Sequence, residues 1–135
     1  MTRRTARRRG ENGQETLQTI LVVAFVLVPV LVAIITIAGL VHVYIAAQAA
    51  AASGARSAGA AGGFGAAQVT RVEDELRGNG VDPATCSIRA SSDSVALDQP
   101  ISVTVDCPQH VGIPFLFERD VQLSSTFVAR GEVDR

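Results

Sequence analysis

The hydrophobic pattern of this chain changes character three times. From Ile20 to Val41 the residues read ILVVAFVLVPVLVAIITIAGLV, broken only by Pro29, Thr36 and Gly39. A helix of that length rises about 33 Å at about 1.5 Å per residue, enough to cross a bilayer core of about 30 Å. A lone proline is tolerated in a membrane helix because neighbouring groups satisfy the freed carbonyl. The sequence predicts a kink near Pro29.

Beyond the apolar run, Ala46 to Ala61 reads AAQAAAASGARSAGAA. Alanine is the best helix former, so the helix is expected to continue outward as a stalk. Its side chains offer little bulk to bury. Ala47, Ala51, Ala55 and Gly59 recur every four residues, a small-residue stripe that lets another helix approach closely. The competing reading is an alanine spacer with no packing face. Gly62-Gly63-Phe64-Gly65 breaks the helix. A second short helix is expected from Ala66 to Arg77, with Val69, Val72 and Leu76 on one face, ended by Gly78-Asn79-Gly80.

From Thr85 the period becomes two. Cys86, Ile88 and Ala90 form one apolar phase. Ile101, Val103, Val105 and Cys107 form a second, and Val121, Leu123, Ser125, Phe127 and Ala129 a third. These are three half-buried strands. Asp98-Gln99-Pro100 makes a turn before the second strand. Pro108 to Arg119 reads as a longer connection before the third. The expected fold class is therefore α+β. It consists of a single-pass N-terminal membrane helix extended by an Ala-rich stalk (11–61) and a small extracytoplasmic head (62–135), in which one short helix covers a three-stranded antiparallel sheet. Residues 1–10 form a basic leader.

Charge sets the direction of insertion. The 135 residues suit one small domain, and the net charge of -1 conceals an asymmetry. Five arginines and no acid fall in residues 1–10. No residue from Thr16 to Ala55 is charged. A buried core helix would need a soluble body larger than the remaining residues can build, so a purely soluble globular protein is excluded. The positive-inside rule places the N-terminus in the cytoplasm and the head outside, with Tyr44 at the outer interface. The short basic run and the acidic bulk of the chain exclude a polybasic nucleic-acid binder. Ala47-Gln48-Ala49 offers a signal-peptide cleavage site. Signal h-regions run only about 7–15 residues, so a retained anchor is the favoured reading and a secreted form cut near Ala49 the alternative.

Candidate chemistry is sparse. Cys86 and Cys107 match no CxxC redox or zinc spacing. Both lie in the apolar phase of their strands. A cross-strand disulfide is geometrically reasonable in an oxidising compartment and would contribute about 3 kcal/mol. Two buried free thiols are the other reading. His42 and His110 stand alone, and Glu73-Asp74-Glu75 reads as a solvated helix face. Nucleophile elbow, phosphate loop and paired-carboxylate patterns are missing, so the chain is read as non-enzymatic, with no cofactor, metal or small-molecule substrate.

The run Arg7–Glu15, RRRGENGQE, directly before the apolar helix, resembles a type IV prepilin-like processing site. Gly39 to Ala60, with Gly54-Ala55-Arg56 its most telling part, looks like the region after the membrane segment in TadE/TadG-like proteins of the tight-adherence (Flp) pilus system. ISVTVDCP and VQLSSTFVARGE resemble that family's strand endings, so the likeness covers most of the chain. It implies a minor pseudopilin or pilus-assembly component of a bacterial cytoplasmic membrane. A prepilin peptidase would cut after Gly10, making Glu11 the first mature residue and Glu15 the fifth. Its partners would be the lipid bilayer, the prepilin peptidase and other pilins or pilus-assembly components. The chain departs from the family in having Thr16 after Glu15, a late proline at Pro29 and a second candidate cut after Gly13. Glu15 near a helix start is also favoured by the helix dipole. Close to lipid it calls for a partner, which the family's logic supplies as the new ammonium of a neighbouring chain. The other class left open is a single-pass anchored binding module whose head contacts a wall or envelope partner.

Overall fold

The computed structural model describes residues 7–113 and 117–133, with side chains from Glu15 onward except that of Ile113. Helix α1 spans Arg7–Ala61 and runs through Pro29 without a break. Helix α2 spans Ala66–Gly78, followed by a single 3-10 turn at Pro83–Thr85. Strands β1 (Ser87–Ala90), β2 (Pro100–Ile113) and β3 (Phe117–Arg130) form one antiparallel sheet in the order β1-β2-β3. The architecture is the α+β class read from the sequence: a long apolar helix, a short helix and a three-stranded sheet.

Local chemistry sets the ends of α2. The Gly65 N–H donates to Gln68 Oε1 at 3.0 Å and satisfies an orphan donor at the helix start. At the other end Gly80 adopts φ +75° and donates to the Arg77 carbonyl, while Val81 N–H reaches the Leu76 carbonyl at 3.0 Å. A left-handed residue at this point is what a glycine supplies without a Cβ clash.

The Ala-rich end of α1, expected as a stalk carrying either a packing stripe or no packing face, is packed. It is the central element of the head. Ala46, Ala50, Gly54 and Ala58 form one buried row, and Ala47, Ala51, Ala55 and Gly59 a second beside it. The first cluster of the core joins Ala46, Ala47, Ala50 and Ala51 to Val72 and Leu76 of α2 and to Val105 and Cys107 of β2. The second joins Ala58 to Ile101 and Val95. The sheet lies chiefly on α1, with α2 alongside that helix, rather than under α2 as the strand pattern suggested. The reason is steric. A surface of methyl groups and hydrogens lets the sheet come close, so that the branched side chains of β2 supply the bulk that α1 lacks. A Cβ on Gly54 would run into Val72 Cγ2, and one on Gly59 into the Arg130 carbonyl oxygen. Those two glycines set the closest approach of α2 and β3.

The β2–β3 hairpin is longer than the sequence suggested. Residues from Pro108 onward, expected as a connection, continue the ladder to the Ile113↔Phe117 pair. Pro108 is tolerated because β1 ends at the Ser87↔Asp106 pair. Past that point β2 has a free edge, where a missing N–H costs no ladder bond.

Candidate functional site

Gly10 and Glu11 lie in the first turns of α1, and their side-chain environments fall outside the described residues, as does that of Gly13. Glu15 is the first described side chain, and it is exposed. It lines a shallow hollow on the helix surface with Gln18, Thr19, Val22 and Val23. Thr19 Oγ1 donates to the Glu15 carbonyl at 2.8 Å, which ties that hydroxyl to the helix backbone. Among the described residues no basic side chain lies within ion-pair distance of the Glu15 carboxylate.

The segment that follows presents apolar side chains on every side. Leu17, Ile20, Leu21, Phe25, Leu31, Ile34 and Ile35 are each half exposed or more. Among the described residues one helix, near the N-terminus, is long and apolar enough to cross a membrane, and none of its most apolar stretch is buried. Burial begins where the alanines begin. Ala47, Ala51 and Ala55 are fully buried, the first two in the cluster formed with β2 and α2, so the stripe is already covered within this chain.

At the join between span and head, His42 Nε2 lies 2.9 Å from the Asn79 carbonyl oxygen. A carbonyl only accepts, so Nε2 carries the proton in this bond. Asn79 also caps α2, its Nδ2 donating to the Glu75 carbonyl at 2.8 Å. His42 thereby fastens the end of α2 to α1 just above the apolar run. Sequence reasoning left this histidine isolated, since its partner is 37 residues away.

Cys86 and Cys107 form a disulfide, with Cα atoms 4.3 Å apart. Cys107 is fully buried in the first core cluster, and Cys86 packs at its margin. The bond fixes the entry of β1 to the middle of β2.

The opposite face of the sheet carries a polar cluster that the alternation did not reveal. Asp106 is nearly buried although it belongs to the polar phase. Arg89 of β1 pairs with it across the sheet. A hydrogen bond from Ser124 of β3, and then the Arg89 guanidinium, hold its carboxyl below the usual range. Thr104 and Thr126 hydroxyls meet at 2.8 Å on the same face. Farther along the hairpin His110 Nδ1 lies 2.8 Å from Asp120 Oδ1, and that carboxylate raises the imidazole pKa. Arg56 of α1 stands over the Phe127 ring, 5.5 Å from its centroid, in cation–π contact. In the acidic triplet, Asp74 pairs with Arg77 at 2.8 Å, both exposed. Among the described residues no three His, Cys, Asp or Glu side chains are grouped to hold a metal ion.

The features together define a class: a helix fit to span a membrane, fused without a break to the core of a small disulfide-bonded α+β head. No protein-family model, curated protein or solved structure matches this chain.

Proposed function

We propose that this protein is a TadE-like minor pseudopilin, or a structural component of tight-adherence (Flp-type) pilus assembly. It is anchored in the bacterial cytoplasmic membrane with its N-terminus inside and its head outside, and it is non-catalytic. The observation that carries the reading is the continuity of α1. One helix runs from Arg7 through the Gly10–Glu15 motif, supplies the apolar span and ends as the central helix of the head. A pulling or packing force on the span would reach the head through one rigid element. The leader arginines support the orientation, and the disulfide suits an extracytoplasmic head. A prepilin peptidase would cut after Gly10 and expose Glu11 as the new N-terminus.

The alternative of a signal peptide removed near Ala49 fits poorly with burial. That cut would take Ala46 and Ala47 out of the core cluster. An anchored binding module that keeps its leader is the stronger competitor. N-terminal sequencing of the chain extracted from membranes of its native host separates the readings. A start at Glu11 supports prepilin-type maturation. A start that retains Arg3 and Arg4 overturns it in favour of the anchored module, and a start near Ala49 makes the protein a secreted one.

A further inference from the structure

We infer that Phe117, at the far end of the β2–β3 ladder, is a second membrane contact, seated in the outer leaflet beside α1. This inference rests on the reading of α1 as a membrane anchor.

The direction of the hairpin follows from its contacts. Ile101 packs with Ala58, Val103 Cγ1 would stand 3.4 Å from a Cβ on Gly54, and Val105 and Cys107 join Ala46, Ala47 and Ala50. As β2 numbers rise, α1 numbers fall, so β2 runs antiparallel to α1 and toward the apolar run. Each step of two strand residues, about 6.6 Å, matches about four helix residues, about 6 Å. The ladder continues six residues past Cys107 to the Ile113↔Phe117 pair. On that spacing the pair is level with about Ile34 or Ile35, nearly two turns inside the run that ends at Val41.

Burial shows that the hairpin keeps to the helix on the way down. Val111, four residues past Cys107, is only 7% exposed. Leu40 and Val43, on the side of α1 that carries Ala47, are half-buried, while Val41, Tyr44 and Ile45 are exposed. Val111 and this side of α1 are thus both withdrawn from solvent below the head.

The chemistry of the hairpin suits lipid. Phe117, the last residue of the ladder, is 52% exposed. The charged and titratable groups come next: Glu118, Arg119, Asp120 and His110, all exposed. An exposed aromatic ring beside a charged collar is the pattern of a shallow interfacial contact, about 5–10 Å into the headgroup and acyl boundary. The occupant is lipid because α1 brings the bilayer to this level on the same axis.

The chain has no tryptophan, so a single introduced one reports its own surroundings. The full-length protein would be reconstituted in vesicles of phosphatidylcholine and phosphatidylglycerol, with and without bromine on the acyl chains. Phe25→Trp, in the apolar run, is the span control. Val128→Trp, exposed on the outer face of β3 near the top of the head, is the water control. Phe117→Trp should emit to the blue of Val128→Trp and lose emission in brominated vesicles, as Phe25→Trp does. Quenching of Phe25→Trp without quenching of Phe117→Trp would overturn the hairpin contact while leaving the anchor intact. A blue-shifted but unquenched Phe117→Trp would mean that protein covers it, and would overturn the lipid assignment. Failure to quench Phe25→Trp would overturn the anchor itself.

Discussion

Cys86 is bonded to Cys107, and of the two only Cys107 is fully buried among Ala47, Ala51 and Leu76. The bond therefore has two separable effects: it closes a loop between β1 and β2, and it fills a core position. Loop closure over a sequence separation of 21 is worth about 3 kcal/mol in the chain-entropy model. Cys86→Ala should lose about that much in denaturant unfolding of the detergent-solubilised protein. Cys107→Ser should lose more, by about 1–3 kcal/mol, since it places a hydroxyl in an apolar cluster. Equal losses for the two variants would refute the division of roles.

Much of this arrangement was legible in the sequence because its signals are local. The run from Ile20 to Val41 and the alternation of Ile101, Val103, Val105 and Cys107 each declare an element without reference to anything distant. The Ala-rich part of α1 was read as a stalk because methyl groups on all sides carry no amphipathic signal. Its buried face is defined only by what lies on it, through the bulk of Val72, Leu76 and Val105. Pro108 reads as a strand end locally, yet the edge it occupies exists only because β1 stops at Ser87. Asp106 and His42 were opaque for the same reason. Their partners, Arg89 with Ser124 and the Asn79 carbonyl, come from other elements.

The close approach of α1 and α2 at Gly54 predicts a coupled pair. Gly54→Ala would press its methyl group into Val72 Cγ2. Overpacking of this kind costs about 1–3 kcal/mol. Val72→Ala alone would leave a cavity and also destabilise, by roughly 1 kcal/mol or more. Together the two changes remove the clash and fill part of the void. The double variant should be more stable than the sum of the single losses allows, with a coupling above about 0.5 kcal/mol in a double-mutant cycle. Additive losses would place the two residues out of contact. Gly59→Ala meets the backbone carbonyl of Arg130, which has no rotamer to change, and has no such rescue.

Two groups on the sheet give stability opposite dependences on pH. Asp106 has its folded pKa below its ordinary value of 3.8. Its contribution is present above that value and is lost as the pH falls through it toward the folded value. Asp106→Asn and Ser124→Ala should each reduce the loss of stability below about pH 4. His110 has its folded pKa raised above 6.5 by Asp120. Its contribution is full below 6.5 and disappears as the pH rises through the folded value. The pair is exposed, so Asp120→Asn should produce only a small loss near pH 5.5 and none near pH 9. Chemical denaturation at several pH values checks both signs. A larger effect of Asp120→Asn at high pH than at low would contradict the assignment.

The boundary between span and head can be tested by truncation. A chain starting at His42 keeps Val43, every buried alanine and the His42 bond to Asn79. In mild detergent it should show a dispersed amide spectrum and a cooperative unfolding transition. A chain starting at Ala50 loses Ala46 and Ala47 and leaves Val105 and Cys107 partly uncovered. It should show neither. A well-folded chain from Ala50 would return the cleaved-signal reading to favour.

Glu15 provides the sharpest test of assembly as opposed to mere anchoring. Its carboxylate is exposed on α1 five residues before the apolar run, and among the described residues no basic side chain pairs with it. Cleavage after Gly10 would remove the five leader arginines and create an ammonium at Glu11. That cation, on a neighbouring subunit, would give the carboxylate a partner, and attraction between charges strengthens in a medium less polar than water. Glu15→Ala removes a charge from beside the span, so membrane insertion should be unchanged. The head, whose core begins about thirty residues later, should unfold as in the wild type. What should fall is recovery of the processed chain with other pilus components after mild detergent extraction, by tenfold or more if the pair is worth about 1.4 kcal/mol. Glu15→Asp should restore part of it and Glu15→Gln none, since an amide cannot supply the charge. Equal recovery of the Gln and wild-type chains would leave Glu15 a helix-dipole residue and remove the carboxylate from the assembly mechanism.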